Sequence, residues 1–357
     1  MSYNIDELLS KMIEEKASDL HLTTGVSPVM RVNGDLIQMG EVRIKPNDTE
    51  NFIQHLLTEE EMDKLMLTGE YDVAMSRPNI GRFRLNVFMQ RGTYALAIRH
   101  VNTELPDIDQ LGIPHIVKDI AKKTRGLFLV TGPTGSGKST TLASIISLIN
   151  QQRSCHILTL EDPIEYLHKH NKSIVNQREI GRDSKSYANA LRAALREDPD
   201  VILIGEMRDL ETISIALTAA ETGHLVFSTL HTIGAAKTID RIIDVFPPHQ
   251  QQQIKVQLSS ILIGILSQAL IPRCDMDRRV AAYEVMLSTP AIKNMIRENK
   301  THQVYSVMQT SQKEGMNVLD DHLVALFRQG MISAEYAAMY SVDTEYVMRS
   351  VQIKNVF

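Results

Sequence analysis

Apolar residues at Ile5, Leu8, Leu9, Met12 and Ile13 recur at the spacing of one helical face, which predicts an amphipathic helix over residues 4 to 17, capped by Asn4 or Asp6. The pattern then changes. Asp19 to Leu22 and Pro28 to Val32 alternate or run apolar as strands do, and Asn33-Gly34 after them is a strong hairpin signal. Residues 48 to 67 return to helical spacing, with Thr58 to Glu61 forming an internal capping box that would break the helix in two. Three strands are predicted next, at Tyr71 to Met75, Arg82 to Gln90 and Tyr94 to Val101. Together these segments predict an antiparallel sheet with helices on one side, an α+β domain over residues 1–102.

Residues 103–114 contain Pro106, Gly112 and Pro114, sustain no period and are predicted to be a linker. Over residues 115–357 the pattern is of another kind, with continuous apolar runs at 127–131, 156–160, 200–204 and 225–229 separated by helical segments at about 138–150, 184–197, 208–221 and 234–244. Fully apolar strands alternating with helices indicate a parallel sheet covered on both faces, an α/β core. After Pro247-Pro248 a long helix is expected from Gln250 to Ser267, then a hairpin through Pro272 to Leu287. Short helices follow at 290–298, 316–329, 333–340 and 343–350, a helical subdomain from about 290.

Composition narrows the class. A chain of 357 residues with 43% hydrophobic residues has room for two or three packed domains. A formal net charge of -5 argues against a constitutive nucleic-acid binder, since phosphate backbones are held by basic surfaces. The two cysteines, Cys155 and Cys274, are far apart and form no CxxC pair, so neither a disulfide framework nor a cysteine zinc site is expected, and a reducing compartment is. Met1 to Ser10 is polar and acidic, so no secretory leader is expected. The most apolar run, Ile261 to Ile271, is too short to span a bilayer and is interrupted by Ser267 and Gln268. Membrane association would therefore come through partners, not by insertion.

The chemistry centres on LFLVTGPTGSGKSTTLA at 127–143. An apolar strand runs into Gly132, Pro133, Thr134, Gly135, Ser136, Gly137, Lys138, Ser139 and Thr140, and good helix formers follow. That is a complete phosphate-binding loop. The glycines let successive N–H groups ring a phosphate at a helix N-terminus, Lys138 brings a positive charge to the outer phosphates, the Ser139 hydroxyl is a ligand for Mg2+, and Thr140 lies near the inner phosphate. A nucleoside triphosphate is the implied ligand.

Such a site needs a magnesium ligand and a group that activates water, both usually carboxylates at the tips of neighbouring strands. One apolar strand ends in Glu161-Asp162-Pro163-Ile164-Glu165. An acid cluster after a strand is in isolation more often a solvated loop. A second strand, Val201 to Ile204, is followed at once by Gly205-Glu206, the form expected where a strand supports magnesium and the hydrolytic water. Glu206 and Glu165 are accordingly the candidate catalytic acids, with Glu206 and Ser139 the candidate metal ligands. A third strand lies between His224 and His231, with hydroxyl residues at its C-terminal end, where ligands sit in open α/β sheets. A histidine is usually structural, but at that end an imidazole would hydrogen-bond a γ-phosphate and report its loss. His231 is the candidate for that role, whereas a capping or packing role for His224 is equally open.

At this point the chain resembles the secretion and type IV pilus ATPases. GPTGSGKST at 132–140 is widely shared, but ILTLEDPIEY at 157–166 looks like the family's Asp box, VILIGEMRD at 201–209 like its glutamate-bearing Walker B, and TGHLVFSTLHT at 222–232 like its His box. The resemblance covers essentially the whole length. It implies a RecA-like P-loop NTPase core behind an N-terminal PAS-like domain, assembled as an ATP-driven homohexamer. It further implies Glu206 at magnesium and water, Glu165 as general base, and arginines from the N-terminal domain set against the phosphates. GRFRLNVFMQRGTYALAIRHV matches that region, which points to Arg84 and Arg99, although Arg82, Arg84 and Arg91 on strand-like segments are by default solvent-facing. An arginine on a separate domain meets the γ-phosphate only on closure, so that hydrolysis becomes movement.

Within the family the chain is similar to the retraction branch. Assembly ATPases carry an additional N-terminal domain and a four-cysteine zinc site, and neither is expected here. Ala291 to Glu298, AIKNMIRE, is close to the retraction branch's AIRNLIRE, with Lys293 and Met295 as departures. Lysine keeps the charge but loses the planar fork of arginine. The resemblance implies a motor for pilus retraction and twitching motility, lying in the cytoplasm against the inner face of the cytoplasmic membrane, with a PilC-like inner-membrane platform protein and the assembly or an accessory ATPase as partners. An accessory retraction ATPase, a pilus-assembly or type II secretion ATPase and a low-turnover ATP-dependent switch remain open alternatives, and a nucleic-acid translocase is disfavoured by the charge.

Overall fold

The computed structural model describes residues 3–32, 34–78, 80–101, 105 and 107–352. The chain divides into two compact units, residues 1–104 and 105–357. In the first unit α1 (Ile5–Glu14) is followed by β1 (Asp19–Thr23), β2 (Val29–Val32) and β3 (Asp35–Gln38), then α2 (Pro46–Leu56), α3 (Glu59–Thr68), β4 (Glu70–Arg77), β5 (Gly81–Gln90) and β6 (Thr93–Val101). All neighbours in the sheet β3-β2-β1-β6-β5-β4 are antiparallel. Val32 stands opposite Asp35, which fixes the hairpin read from Asn33-Gly34; Asn33 itself lies outside the described residues.

The helix expected over 48–67 is broken where the capping box predicted. Glu61 N–H donates to Thr58 Oγ1 at 3.4 Å and Thr58 N–H to Glu61 Oε2 at 2.9 Å, restarting the helix at Glu59. Period-2 alternation buries Phe83, Leu85 and Val87 of β5 and Leu96 and Ile98 of β6 against Leu8, Leu9 and Met12 of α1. The intervening residues of those strands lie on the opposite face.

The second unit begins with α4 (Ile116–Ala121) and runs through β7 (Gly126–Thr131), α5 (Lys138–Gln152), β8 (His156–Glu161), β9 (Ile174–Glu179), α6 (Tyr187–Ala194), β10 (Val201–Ile204), α7 (Leu210–Glu221), β11 (Leu225–Leu230), α8 (Ala235–Asp244) and α9 (Pro248–Ile261). It closes with β12 (Leu262–Pro272), β13 (Arg279–Leu287), α10 (Pro290–Arg297), α11 (Val304–Thr310), α12 (Leu319–Arg328), α13 (Ala334–Met339) and α14 (Thr344–Gln352). The sheet order is β13-β12-β7-β11-β10-β8-β9, parallel except for β13. The phosphate loop therefore leaves an interior strand, β7, on the side where β8, β10 and β11 also end.

Two sequence expectations are corrected. The helix expected to reach Ser267 stops at Ile261, and Leu262 to Ser267 instead pair with β7 as the start of β12. A short apolar run reads equally as buried helix or buried strand, and a free edge on β7 is covered only by a strand. Gly264 fits that pairing, since a Cβ there would meet Met286 O at 2.6 Å. Of the stretch read as linker, residues 105 and 107–114 belong to the second unit: Ile108 and Ile113 are buried with Phe128 and Leu266, and Tyr283 Oη donates to Leu111 O at 3.0 Å. The rest of that stretch, 103, 104 and 106, lies outside the described residues. β9 and α11 had no counterpart in the sequence reading.

α12 to α14 share a small core with Ile271 and Ala282, in which Asp320 is fully buried. Its Oδ1 accepts from Val342 N–H at 2.8 Å, and its Oδ2 from Asp343 N–H at 2.8 Å and Tyr305 Oη at 3.2 Å. Asp320→Ala would leave three donors without their acceptor in a dry site, so a loss of about 3 kcal/mol is expected. Urea denaturation measures it, and an unchanged midpoint would show that the chain around Val342 closes over the gap.

Candidate functional site

The phosphate loop is held in a conformation that its glycines permit. Gly132, Gly135 and Gly137 have φ of 142°, 77° and 88°. A Cβ on Gly132 would stand 2.2 Å from Gln268 O on β12, so only glycine allows this approach. Pro133, Thr134 and Gly135 form an exposed rim, whereas Ser136 is buried with an Oγ that has no partner among the described residues. α5 starts at Lys138, so the N–H groups of its first turn face the loop, without carbonyls four residues back. A cradle that a Cβ would fill, an unpartnered buried hydroxyl and a helix N-terminus together fit a nucleotide phosphate.

Lys138 is buried under that loop. Its Nζ donates to Gly132 O at 2.9 Å and Pro133 O at 3.0 Å and lies 3.4 Å from His231 Nδ1. Burial holds the ammonium below the usual lysine range, while the charges of Glu206 and Glu165 act in the opposite direction. Since an ammonium only donates, Nδ1 of His231 is the acceptor, and the ring proton sits on Nε2. Nε2 lies 3.2 Å from Glu206 Oε1, while Glu206 Oε2 accepts from Arg208 Nε at 2.8 Å. A chain of close polar contacts thus runs from Lys138 through His231 to Glu206 and Arg208.

The strand ends place these groups. β10 stops at Ile204, and Gly205 brings the chain close beneath Tyr187, where a Cβ would meet its Oη at 2.7 Å. Thr229 of β11 donates from Oγ1 to Gly205 O at 2.6 Å, and Met207 N–H bonds Thr229 O at 3.2 Å, which binds the Glu206 turn to the strand leading to His231. His224 lies at the other end of β11. Its Nδ1 is 2.9 Å from Ala219 O near the end of α7, a helix-capping contact.

The three acids after β8 separate. Glu161 turns inward to Thr159 Oγ1 at 2.7 Å and Gln177 Nε2 at 3.3 Å, and burial pushes its carboxyl above the usual range against these hydrogen bonds. Asp162 and Glu165 are exposed. The loop bearing them is held by Glu179 Oε2 on Ile164 N–H at 3.1 Å, by Gln177 Nε2 on Tyr166 O at 2.8 Å, and by Tyr166 Oη at 2.9 Å from Thr140 Oγ1. Tyr166 and Arg208 belong to motifs the sequence singled out, yet neither residue was a site candidate; the Tyr166 contact joins segments 26 residues apart, whereas Arg208 reaches Glu206 within its own motif.

Arg84 and Arg99 belong to the first unit, on the sheet face away from its core, directly opposite each other in the β5–β6 register. Such a pair of like charges is unfavourable by itself. Arg99 Nε donates to Asp19 Oδ1 at 2.9 Å, and although partial burial acts upward on Asp19, the Ser18 and Arg99 hydrogen bonds hold its carboxyl below the usual range. Arg82 departs from expectation: it is buried, with Nη1 3.5 Å from Ser76 Oγ. Arg91 is exposed with a φ of 47° beside Gly92 in the turn between β5 and β6. Of the retraction-branch departures, Met295 packs half-buried on the main core between buried Ile292 and Ile296, and Lys293 is half-buried on the same helix. Among the described residues no helix is long and apolar enough to cross a membrane.

A family model described as type II/IV secretion system protein matches residues 1–339. The chain is 46% identical to the type IV pilus retraction ATPase PilT of Pseudomonas aeruginosa over 334 residues, 94% of this chain and 97% of that one. It is 39% identical to the type IV pilus ATPase PilU of the same species over 94% of this chain and 88% of the relative. A crystal structure of the pilus retraction motor PilT with bound ADP matches with a TM-score of 0.92 at 50% identity, covering 98% of this chain and 100% of that one.

Proposed function

Because the chain belongs to the type II/IV secretion system protein family, we propose that it is an ATP-hydrolysing motor that drives type IV pilus retraction and twitching motility. The observation that carries this reading is the 46% identity to a retraction ATPase along nearly the full length of both chains. The contact chain Lys138–His231–Glu206–Arg208 supports it from the site. The lower identity to PilU, 39%, ranks an accessory ATPase second.

In this reading the N–H groups and Lys138 of the phosphate loop bind the phosphates, with Ser136, Ser139 and Thr140 at their edge. Ser139 and Glu206 would hold Mg2+, which when bound neutralises phosphate charge and orders water. Glu206 orients the hydrolytic water and Glu165 accepts its proton. His231 joins the lysine to the Walker B carboxylate, so a γ-phosphate that draws the ammonium away removes the donor to Nδ1 and is felt at Glu206. Arg84 and Arg99 supply positive charge from the N-terminal unit. Six copies form a ring in the cytoplasm against the inner membrane, working on a PilC-like platform protein. Deleting the gene in its host and counting surface pili by electron microscopy, beside a colony-spreading assay, tests the assignment. More pili with lost spreading are expected; bald cells would reverse the direction of the motor.

A further inference from the structure

β12 and β13 carry the two polar interruptions of the chain's most apolar run to opposite faces of the sheet. Ser267 stands opposite Glu284 and Gln268 opposite Tyr283, and alternation sends the first pair one way and the second the other. On one face Ser267 Oγ accepts from Gly234 N–H at 3.0 Å and Glu284 Oε1 from Ala235 N–H at 2.7 Å, holding the start of α8 just after His231. On the other face Gln268 is 3% exposed, and its one planar amide reaches both the phosphate loop and the first turns of α5. Nε2 donates to Ser136 O at 2.6 Å and Oε1 accepts from Thr141 Oγ1 at 2.9 Å.

We propose that Gln268 is a positioning residue for nucleotide phosphates, acting by fixing the peptide plane between Ser136 and Gly137. A trans peptide is planar, so its C=O and N–H point in opposite directions. With Ser136 O held toward β12, the N–H of Gly137 is aimed away from the strand. That N–H is one of the donors a phosphate ring requires. Gly137, at one end of that peptide, has a positive φ, so one of the two torsions about which the peptide turns belongs to a residue with little resistance to rotation. The Gln268 hydrogen bond supplies that resistance, and Thr141 holds the amide at its other end. Only an amide does both jobs, since a carboxylate has no proton to donate and a thioether neither donates nor accepts well.

The inference rests on the nucleotide-hydrolysing reading above and is tested on the full-length protein with ATP and ADP. Gln268→Met keeps the volume and removes both bonds. Losing a buried hydrogen bond that orients a donor corresponds to about a tenfold rise in KM for ATP and in Kd for ADP, while kcat at saturation stays within about threefold because Glu206 and His231 are untouched. Gln268→Glu tests the donor alone: buried carboxyls are protonated more readily, so its KM is expected to approach the parent's as pH falls, whereas that of Gln268→Met does not. A Gln268→Met protein with parental KM and Kd overturns the proposal, as does one whose kcat falls at constant KM, the sign of a smaller folded fraction. Should that variant not fold, Thr141→Val, which frees the other end of the amide, carries the same KM expectation and the same refutation. If the parent protein neither binds nor hydrolyses ATP, the functional reading itself is at fault.

Discussion

Glu206→Gln is expected to bind nucleotide like the parent and to lose about a hundredfold to ten-thousandfold in turnover, the range for removing a positioned acid–base group. The substitution is nearly isosteric, so packing at the end of β10 is preserved. The chain of contacts is not. Glu206 faces two donors at once, accepting from Arg208 Nε and lying 3.2 Å from His231 Nε2, and a glutamine has one oxygen for both. If that oxygen faces Arg208, the amide NH2 meets the N–H of His231. The ring escapes only by moving its proton to Nδ1, which then faces the ammonium of Lys138, 3.4 Å away. One link is broken in every arrangement, and the negative charge expected to work at magnesium and water is absent. The phosphate loop makes none of these contacts except through Lys138, whose bonds to Gly132 O and Pro133 O remain. Steady-state ATP hydrolysis beside titration with a fluorescent ADP separates the two effects. Parental turnover would remove Glu206 from the chemistry; lost ADP binding would make it a structural support of the loop.

The legible parts of the site are those in which chemistry and position occupy one contiguous segment. A strand followed at once by glycines and Lys138, or by Gly205 and Glu206, announces both the residue and its place at a strand tip, and His231 follows the same rule. The solvent-facing default for arginines on strand-like segments holds for Arg84 and Arg91 but not for Arg82, whose burial depends on its neighbours in the sheet. What stayed hidden depends on pairing between distant segments. Gln268 was visible only as a flaw in an apolar run, and reading Leu262 to Ser267 as helix removed the strand register that gives it meaning. Burial is what makes the difference: a polar side chain inside an apolar strand has to find partners, and here they are 132 and 127 residues away in sequence.

Gly132→Ala should be the most damaging single change to the loop, lowering thermal stability and abolishing measurable nucleotide binding together. Two costs add. At a φ of 142° an L side chain is strained, worth about 1–3 kcal/mol. The new Cβ would also lie 2.2 Å from Gln268 O and 2.8 Å from Ser136 Oγ, and forced overpacking adds about 1–3 kcal/mol more. Neither neighbour yields cheaply. Gln268 O is backbone of β12, a strand paired on both sides, so the loop must move instead, and its displacement pulls Gly132 O from Lys138 Nζ. Gly135→Ala is the matched comparison, because Gly135 also has positive φ, 77°, but a Cβ there meets nothing within 4 Å. It should cost only about 1 kcal/mol, the price of the backbone conformation alone. Melting both variants without nucleotide keeps contacts with the ligand out of the comparison. A large difference between the two melts assigns the damage to the Gly132–Gln268 contact, whereas equal melting would mean that the loop shifts freely and that β12 does not hold it.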